Sequence, residues 1–152
     1  MAADPFELSR FLEAQAGCYE QALSELRTGR KQSHWSWFIF PQVLGLGSSP
    51  MSIRFAIRSL EEAKAYLSHP ILGDRFVECV AAMNTHADVG AAEILGEVDA
   101  RKFHSCLTLF CQVDSSSPRF VEALDKYFAG QLDAATLAIL ARLHARTTPA
   151  PD

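Results

Sequence analysis

The side chains best suited to bind a ligand lie close together in one aromatic stretch, residues 31–42. Its tryptophan and phenylalanine rings offer flat apolar faces on which a base or a nicotinamide-like ring can stack. A lysine beside them can pair with phosphate, and a histidine can bind phosphate or transfer a proton near neutral pH. We therefore predict a pocket for a nucleotide-like or otherwise phosphorylated small molecule, and leave open whether it is enzymatic. The candidate ligand-binding residues are Lys31, Ser33, His34, Trp35, Trp37 and Gln42.

The same stretch also has a purely structural interpretation. Aromatic side chains are buried in a core more often than not, and backbone carbonyls can satisfy both the His34 ring and the indole N–H groups. Arg27, Arg30 and Lys31 follow the predicted end of a helix, where the helix dipole favours cations. The alternative function is therefore a protein-interaction or structural helical domain with no small-molecule site. An opening beside His34 and Trp35 would favour the pocket.

Other functional signatures in the sequence are weak. A phosphate-binding loop is not indicated, because residues 45–47 lack the third glycine and the strand–helix context of such loops. The histidines are scattered without ligand spacing, so we predict no metal and no cofactor, and no catalytic residue can be named. A second candidate site is the polar face of a helix near Asp99, although such faces are usually only solvated. Its members are Arg101, Lys102, Ser105 and Thr108.

Length and composition favour a single soluble domain, which we predict to span residues 1–146 before a disordered tail at 147–152. The formal net charge of −4 argues against nucleic acid and anionic membranes as partners. A small-molecule partner is expected, and an oligomer is left open. No signal peptide or membrane-length apolar run is present, so we expect a cytoplasmic protein. The four cysteines are expected to be buried free thiols.

Helical periodicity and capping signals predict an all-α fold, a single compact domain of about seven or eight helices. The first helix is expected to be capped by Asp4 and to begin at Pro5. Later helices are expected to begin at capping or proline signals and to end at glycines. The start signals are Ser59, Pro70, Gly90, Asp99, Ser117 and Asp133, and the end signals are Gly17, Gly29, Gly96 and Gly130.

The aromatic stretch is the segment whose local structure is ambiguous. A lone strand in a helical protein would leave its backbone groups without partners. We therefore predict a helix that ends just before Pro41. Residues 42–51 are rich in glycine and serine and predict a loop. The predicted helix would carry Lys31, His34, Trp35 and Phe38 on one face.

Several of these segments together resemble a small bacterial family of domains of unknown function. The resemblance is carried above all by the motif K-x-S-H-W-x-W-F-I-F-P-Q at residues 31–42, and it covers nearly the whole chain. Members of that family are sometimes labelled calpastatin, but calpastatin is a disordered eukaryotic inhibitor and this chain is apolar and regularly patterned.

The resemblance implies a mainly α-helical domain and brings no activity or catalytic residue with it. The sequence departs from the family at Phe55, where tyrosine is frequent, and at Ser36, where a bulky apolar residue is usual. The smaller Ser36 side chain can leave room near the tryptophans.

Overall fold

Ten helices form the regular structure of residues 3–147, the part of the chain that this computed structural model describes, with side chains described for residues 3–145. The predicted all-α class and single compact domain are confirmed. The expected count of seven or eight is slightly too low, in part because the short helix at residues 50–54 lies within the predicted loop. The helices are α1 (Ser9–Ala16), α2 (Tyr19–Thr28), α3 (Ser36–Ile39), α4 (Pro50–Arg54), α5 (Leu60–Ser68), α6 (Leu72–Asn84), α7 (Ala91–Leu95), α8 (Glu97–Cys111), α9 (Pro118–Phe128) and α10 (Ala134–Thr147).

Most of the predicted caps are confirmed. Gly29 ends α2 with a left-handed φ of 85°, a conformation that glycine adopts without steric cost. Ser59 caps α5, because its Oγ accepts the backbone N–H of Glu62 at 3.0 Å. Asp133 caps α10 by accepting the N–H of Thr136 at 3.1 Å.

The predicted start of α1 at Pro5 is wrong, since the helix begins at Ser9. Glu7 has a positive φ of 53°, which a right-handed helix cannot contain. The carboxylate of Asp4 still acts as a cap from a distance, accepting the backbone N–H groups of Leu8 at 2.7 Å and Ser9 at 3.0 Å.

Two further predicted starts are displaced by two residues. Helix α6 begins at Leu72 instead of Pro70, and its first turn is capped by His69, whose Nδ1 accepts the N–H of Leu72 at 3.2 Å. Helix α8 begins at Glu97, so Asp99 lies inside the first turn and is not the cap. Its carboxylate is therefore available for a tertiary contact.

The helix predicted through the aromatic stretch is wrong for its first half, because α3 covers only four residues. The expected helical face of Lys31, His34, Trp35 and Phe38 therefore does not exist. The predicted loop at 42–51 is shorter than expected, since α4 begins within it. Ser49 caps α4, accepting the N–H of Ser52 at 3.1 Å.

Helix α8 lies at the centre of the fold and contacts α3, α5, α7, α9 and α10. Its second half is buried almost completely, as expected for a helix enclosed by others. The Phe103 ring of α8 lies 4.6 Å from the Phe40 ring that follows α3, and Phe110 lies 4.6 Å from Phe76 of α6. The aromatic stretch is thus docked directly onto the central helix.

Three of the four cysteines, Cys79, Cys106 and Cys111, are buried free thiols, and Cys18 is a half-buried free thiol. None of the helices in residues 3–147 is both long enough and apolar enough to cross a membrane. Of the predicted tail, residues 148–152 lie outside the described residues.

Candidate functional site

The first half of the aromatic stretch is held by one carboxylate of the preceding helix, Glu25 of α2. Its Oε1 accepts the backbone N–H groups of Gln32 at 2.7 Å and Ser33 at 2.8 Å, and the indole N–H of Trp35 at 3.0 Å. Its Oε2 accepts the Ser33 hydroxyl at 2.7 Å and the side-chain amide of Gln21 at 3.2 Å. These bonds fold residues 32–35 back onto α2 and prevent them from continuing as a helix.

The Glu25 carboxylate stays ionised at pH values at which a glutamate is ordinarily protonated. Burial raises its pKa, but the hydrogen bonds from Ser33, Gln32 and Trp35 outweigh burial and lower the pKa to about 2. A carboxylate saturated in this way is a structural anchor, because any proton it accepted would displace one of its donors.

Trp35 is part of the core. Its side chain is 1% exposed, and its ring lies 5.9 Å from the Phe40 ring. The Lys31 ammonium lies 5.0 Å from the Trp35 ring centroid, and the Lys31 backbone N–H donates to the carbonyl of Ile94 at 2.8 Å. Trp35 therefore acts as a packing residue that brings Lys31 against the α7–α8 region.

A second carboxylate, Asp99 in the first turn of α8, holds the stretch from the other side. The Lys31 Nζ lies 2.9 Å from its Oδ2, and the Lys102 Nζ lies 3.5 Å from its Oδ1. The Lys102 ammonium also lies 4.9 Å from the ring centroid of Trp37, which is half-buried. Two cations, one carboxylate and one partly accessible indole ring thus meet at the junction of α3 and α8.

The electrostatics of this junction favour the charged forms. Burial raises the pKa of Asp99, but hydrogen bonding from Lys31 and the positive charges of Lys31 and Lys102 lower it below its usual value. The side chains of Lys31, Lys102 and Asp99 are only 9%, 18% and 18% exposed, so solvent screens their attraction weakly.

Ser36 lies beside the same carboxylate. Its hydroxyl is near enough to Asp99 to favour the ionised form, yet within residues 3–145 it forms no hydrogen bond of normal geometry, although the residue is only 3% exposed. The Ser36 hydroxyl is therefore unpaired among the described residues. Such a buried hydroxyl without a hydrogen-bond partner is uncommon.

The two remaining candidate residues make fewer contacts. His34 is exposed, and its ring makes no hydrogen bond to any described residue. Gln42 is half-buried, and its backbone carbonyl accepts the N–H of Ile57 at 2.8 Å. That bond forms part of the isolated parallel bridge between Val43 and Ile57.

A known protein family matches most of the chain. Residues 5–140 match the family described as "Protein of unknown function (DUF1810)". The chain belongs to this family. The expected membership of a family of unknown function is confirmed, and no protein with curated annotation matches the chain.

A solved structure agrees with this DUF1810 assignment. The crystal structure of the conserved hypothetical protein Rv1873 from Mycobacterium tuberculosis is similar, with a TM-score of 0.89 and 48% sequence identity. The match covers 91% of this chain and 99% of the other. Neither description names an activity, so the function of this DUF1810 protein must be argued from its own side chains.

A cleft of about 240 Å³ reaches the aromatic stretch of this DUF1810 protein. Glu25 and Gln32 line it, whereas His34 and Trp35 do not. Among the described residues, no group of three or more His, Cys, Asp or Glu side chains could hold a metal ion.

Three residues of this arrangement lay outside the sequence prediction of the site: Glu25, Asp99 and Lys102. Glu25 lies three residues after Ala22 on the apolar stripe of α2, and this position could have marked it as a buried carboxylate. Asp99 was interpreted only as a cap. Lys102 belongs to the second candidate site, the polar face of α8. It joins the aromatic stretch only because α3 packs on α8.

Proposed function

We propose that the junction of the aromatic stretch and α8 binds a small anionic ligand with an aromatic ring, of which a nucleotide is the simplest example. The observation that carries this proposal is the Lys102 ammonium, shared between the Asp99 carboxylate and the half-buried Trp37 ring. We assign no reaction to the site.

The local charge supports an anionic ligand. Lys31 and Lys102 share one carboxylate, Asp99, so these three side chains carry one positive charge in excess within a chain whose formal net charge is −4. The longer of the two ion pairs, 3.5 Å for Lys102 against 2.9 Å for Lys31, is the easier one to exchange. A phosphate can therefore take Lys102 without breaking the Lys31 pair.

The ring supports an aromatic group on the ligand. Trp37 is half-buried, unlike Trp35, and can accept a base on the accessible part of its indole. Stacking on such a ring contributes about 1–3 kcal/mol per base. In this proposal, His34 and Gln42 provide further polar contacts at the edge of the site. Ser33 and Trp35 act by positioning the stretch through their bonds to Glu25.

Isothermal titration calorimetry with adenosine monophosphate tests the proposal, with adenosine and inorganic phosphate titrated separately. We expect saturable binding of the nucleotide that weakens about tenfold in Lys102→Met, because one charge-assisted contact is lost. Lys126→Met is the matched control, since that lysine is an exposed residue of α9. Trp37→Leu should reduce the affinity for the nucleotide and for adenosine while leaving phosphate binding unchanged.

The proposal is wrong if none of the three compounds binds, or if Lys102→Met binds the nucleotide as well as the Lys126→Met control does.

A further inference from the structure

The outward face of α9 carries a second surface with a groove. Two adjoining shallow clefts of about 720 Å³ and about 570 Å³ lie along it. Val121 and Asp125 line both clefts, and they lie one helical turn apart, so they share one face. We call this surface the α9 groove; none of its lining residues belongs to residues 31–42.

The middle of the α9 groove is apolar. Val121 is 41% exposed and Leu132 is 40% exposed, and the two line the same cleft above the buried Leu124. Single exposed aliphatic side chains are normal on protein surfaces. Two that flank one cleft form an apolar contact site that an aliphatic side chain can cover.

The rim of the α9 groove is acidic. Its lining side chains include two carboxylates, Glu122 and Asp125, and one cation, Lys126. Glu122 is partly engaged, since its Oε2 accepts the side-chain amide of Asn84 at 3.1 Å. Asp125 has no hydrogen-bond or ion-pair partner among the residues that the structure describes.

The stability of α9 does not account for this carboxylate. Asp125 lies in the last turn of the helix, where the dipole disfavours negative charge. Its Oδ1 lies 3.0 Å from where a Cβ on Gly130 would be, so it rests against a glycine that itself needs a positive φ of 74°. An unpaired carboxylate at an unfavourable helix position is available to a cation from outside.

We propose that the α9 groove binds a segment of a partner protein in which an aliphatic side chain stands beside a lysine or arginine. The aliphatic group covers Val121 and Leu132, and the cation pairs with Asp125. Charge complementarity identifies the occupant, because an acidic or uncharged segment would leave Asp125 without a partner. This inference is independent of the nucleotide site.

Selection of a random octapeptide library displayed on phage against the full-length protein tests this inference. The enriched peptides should contain at least one basic residue next to an aliphatic one. Fluorescence anisotropy with the labelled consensus peptide should then show binding that is about tenfold weaker in Val121→Ser/Leu132→Ser and in Asp125→Asn.

Matched controls separate this groove from generic adhesion. Ile53→Ser removes an aliphatic side chain that is 47% exposed elsewhere, and Glu13→Gln removes an exposed carboxylate of α1; both should bind as the wild type does. Circular dichroism should show that all variants are folded, because each change lies at an exposed position.

Three results would overturn the proposal. They are an absence of enrichment, enriched peptides without a basic residue, and a consensus peptide that binds the groove and control variants equally. Sedimentation velocity tests whether a second copy of this chain occupies the groove. If the wild type self-associates and the Val121→Ser/Leu132→Ser variant does not, the groove is an interface between copies of this chain and the proposal is wrong.

Discussion

Glu25 and Asp99 hold the aromatic stretch from two sides, and their partners differ in kind. Glu25 accepts only uncharged donors, most of them on residues 32–35 and fixed by the fold. Asp99 accepts two ammonium groups on flexible stems, one of them shared with the Trp37 ring. Fixed donors cannot leave their acceptor without being buried unpaired, whereas an ammonium can turn to another anion. Glu25 therefore has a structural role, whereas Asp99 has partners that can be exchanged.

The largest expected effect is that of Glu25→Ala. Four donors from residues 32–35, the buried Trp35 indole among them, would lose their acceptor at once, so we expect the free energy of unfolding to fall by about 3 kcal/mol. Urea denaturation measures this loss. Glu13→Ala, an exposed position on α1, should change stability by less than about 0.5 kcal/mol. Equal effects of Glu25→Ala and Glu13→Ala would contradict the structural role of Glu25.

Acid should weaken the Glu25 anchor in a defined window. The folded-state pKa of about 2 lies below the ordinary value of 4.5, so this contribution is complete above about pH 4.5 and is lost as the pH falls towards about 2. The thermal midpoints of the wild type and Glu25→Gln should therefore converge across this window, because the glutamine variant has no such proton to bind. A constant difference between the two midpoints from neutral to acid pH would contradict the prediction.

Asp99→Asn should affect binding at a modest cost in stability. Asparagine keeps one oxygen that can accept from the Lys31 ammonium, so the loss of stability should be about 1 kcal/mol, well below that of Glu25→Ala. Removing the competing carboxylate frees Lys31 and Lys102, and we expect nucleotide affinity to rise about fivefold. Calorimetry measures this change, with Asp74→Asn of α6 as the control. A fall in affinity would mean that Asp99 itself contacts the ligand and does not compete with it for the two lysines.

The smallest expected effect is that of Ser36→Ala. Its hydroxyl is buried and unpaired among the described residues, so its removal should leave stability within about 0.5 kcal/mol of the wild type or raise it. Ser105 is the matched buried serine, because its hydroxyl lies 3.1 Å from both the Arg101 carbonyl and Asp133. Ser105→Ala should cost about 1 kcal/mol in urea denaturation. Equal losses would show that Ser36 pairs with Asp99.

Much of the fold could be predicted because its signals are local. The ends at Gly29 and Ser59 depend on residues within one turn of each helix, and the structure confirms them. Errors arose where a distant partner overrode the local pattern. Residues 32–35 have a helix-compatible sequence, but the Glu25 carboxylate takes the backbone N–H groups of Gln32 and Ser33, and only the four residues of α3 are helical. Asp99 has the residue type of a cap, but its carboxylate faces Lys31.

The candidate site was predicted less completely for the same reason. The aromatic stretch stands out by composition alone, and it remains the centre of the proposal. Composition could not separate Trp35 from Trp37, because both are tryptophans two residues apart. Packing separates them: one is 1% exposed, and the other is half-buried under Lys102. Lys102 lies far along the chain, so no local spacing connects it to the stretch.

By itself, the sequence determined the helical class, the family, most of the helix ends and the location of the aromatic stretch. Each of these depends on neighbouring residues or on a contiguous motif. The tertiary structure alone decided which indole is core and which is accessible, and which carboxylate anchors the stretch and which shares its cations. Those decisions depend on α2 and α8 meeting around one short helix, and hydrogen bonds and ion pairs act only between atoms that the fold has brought within a few ångströms.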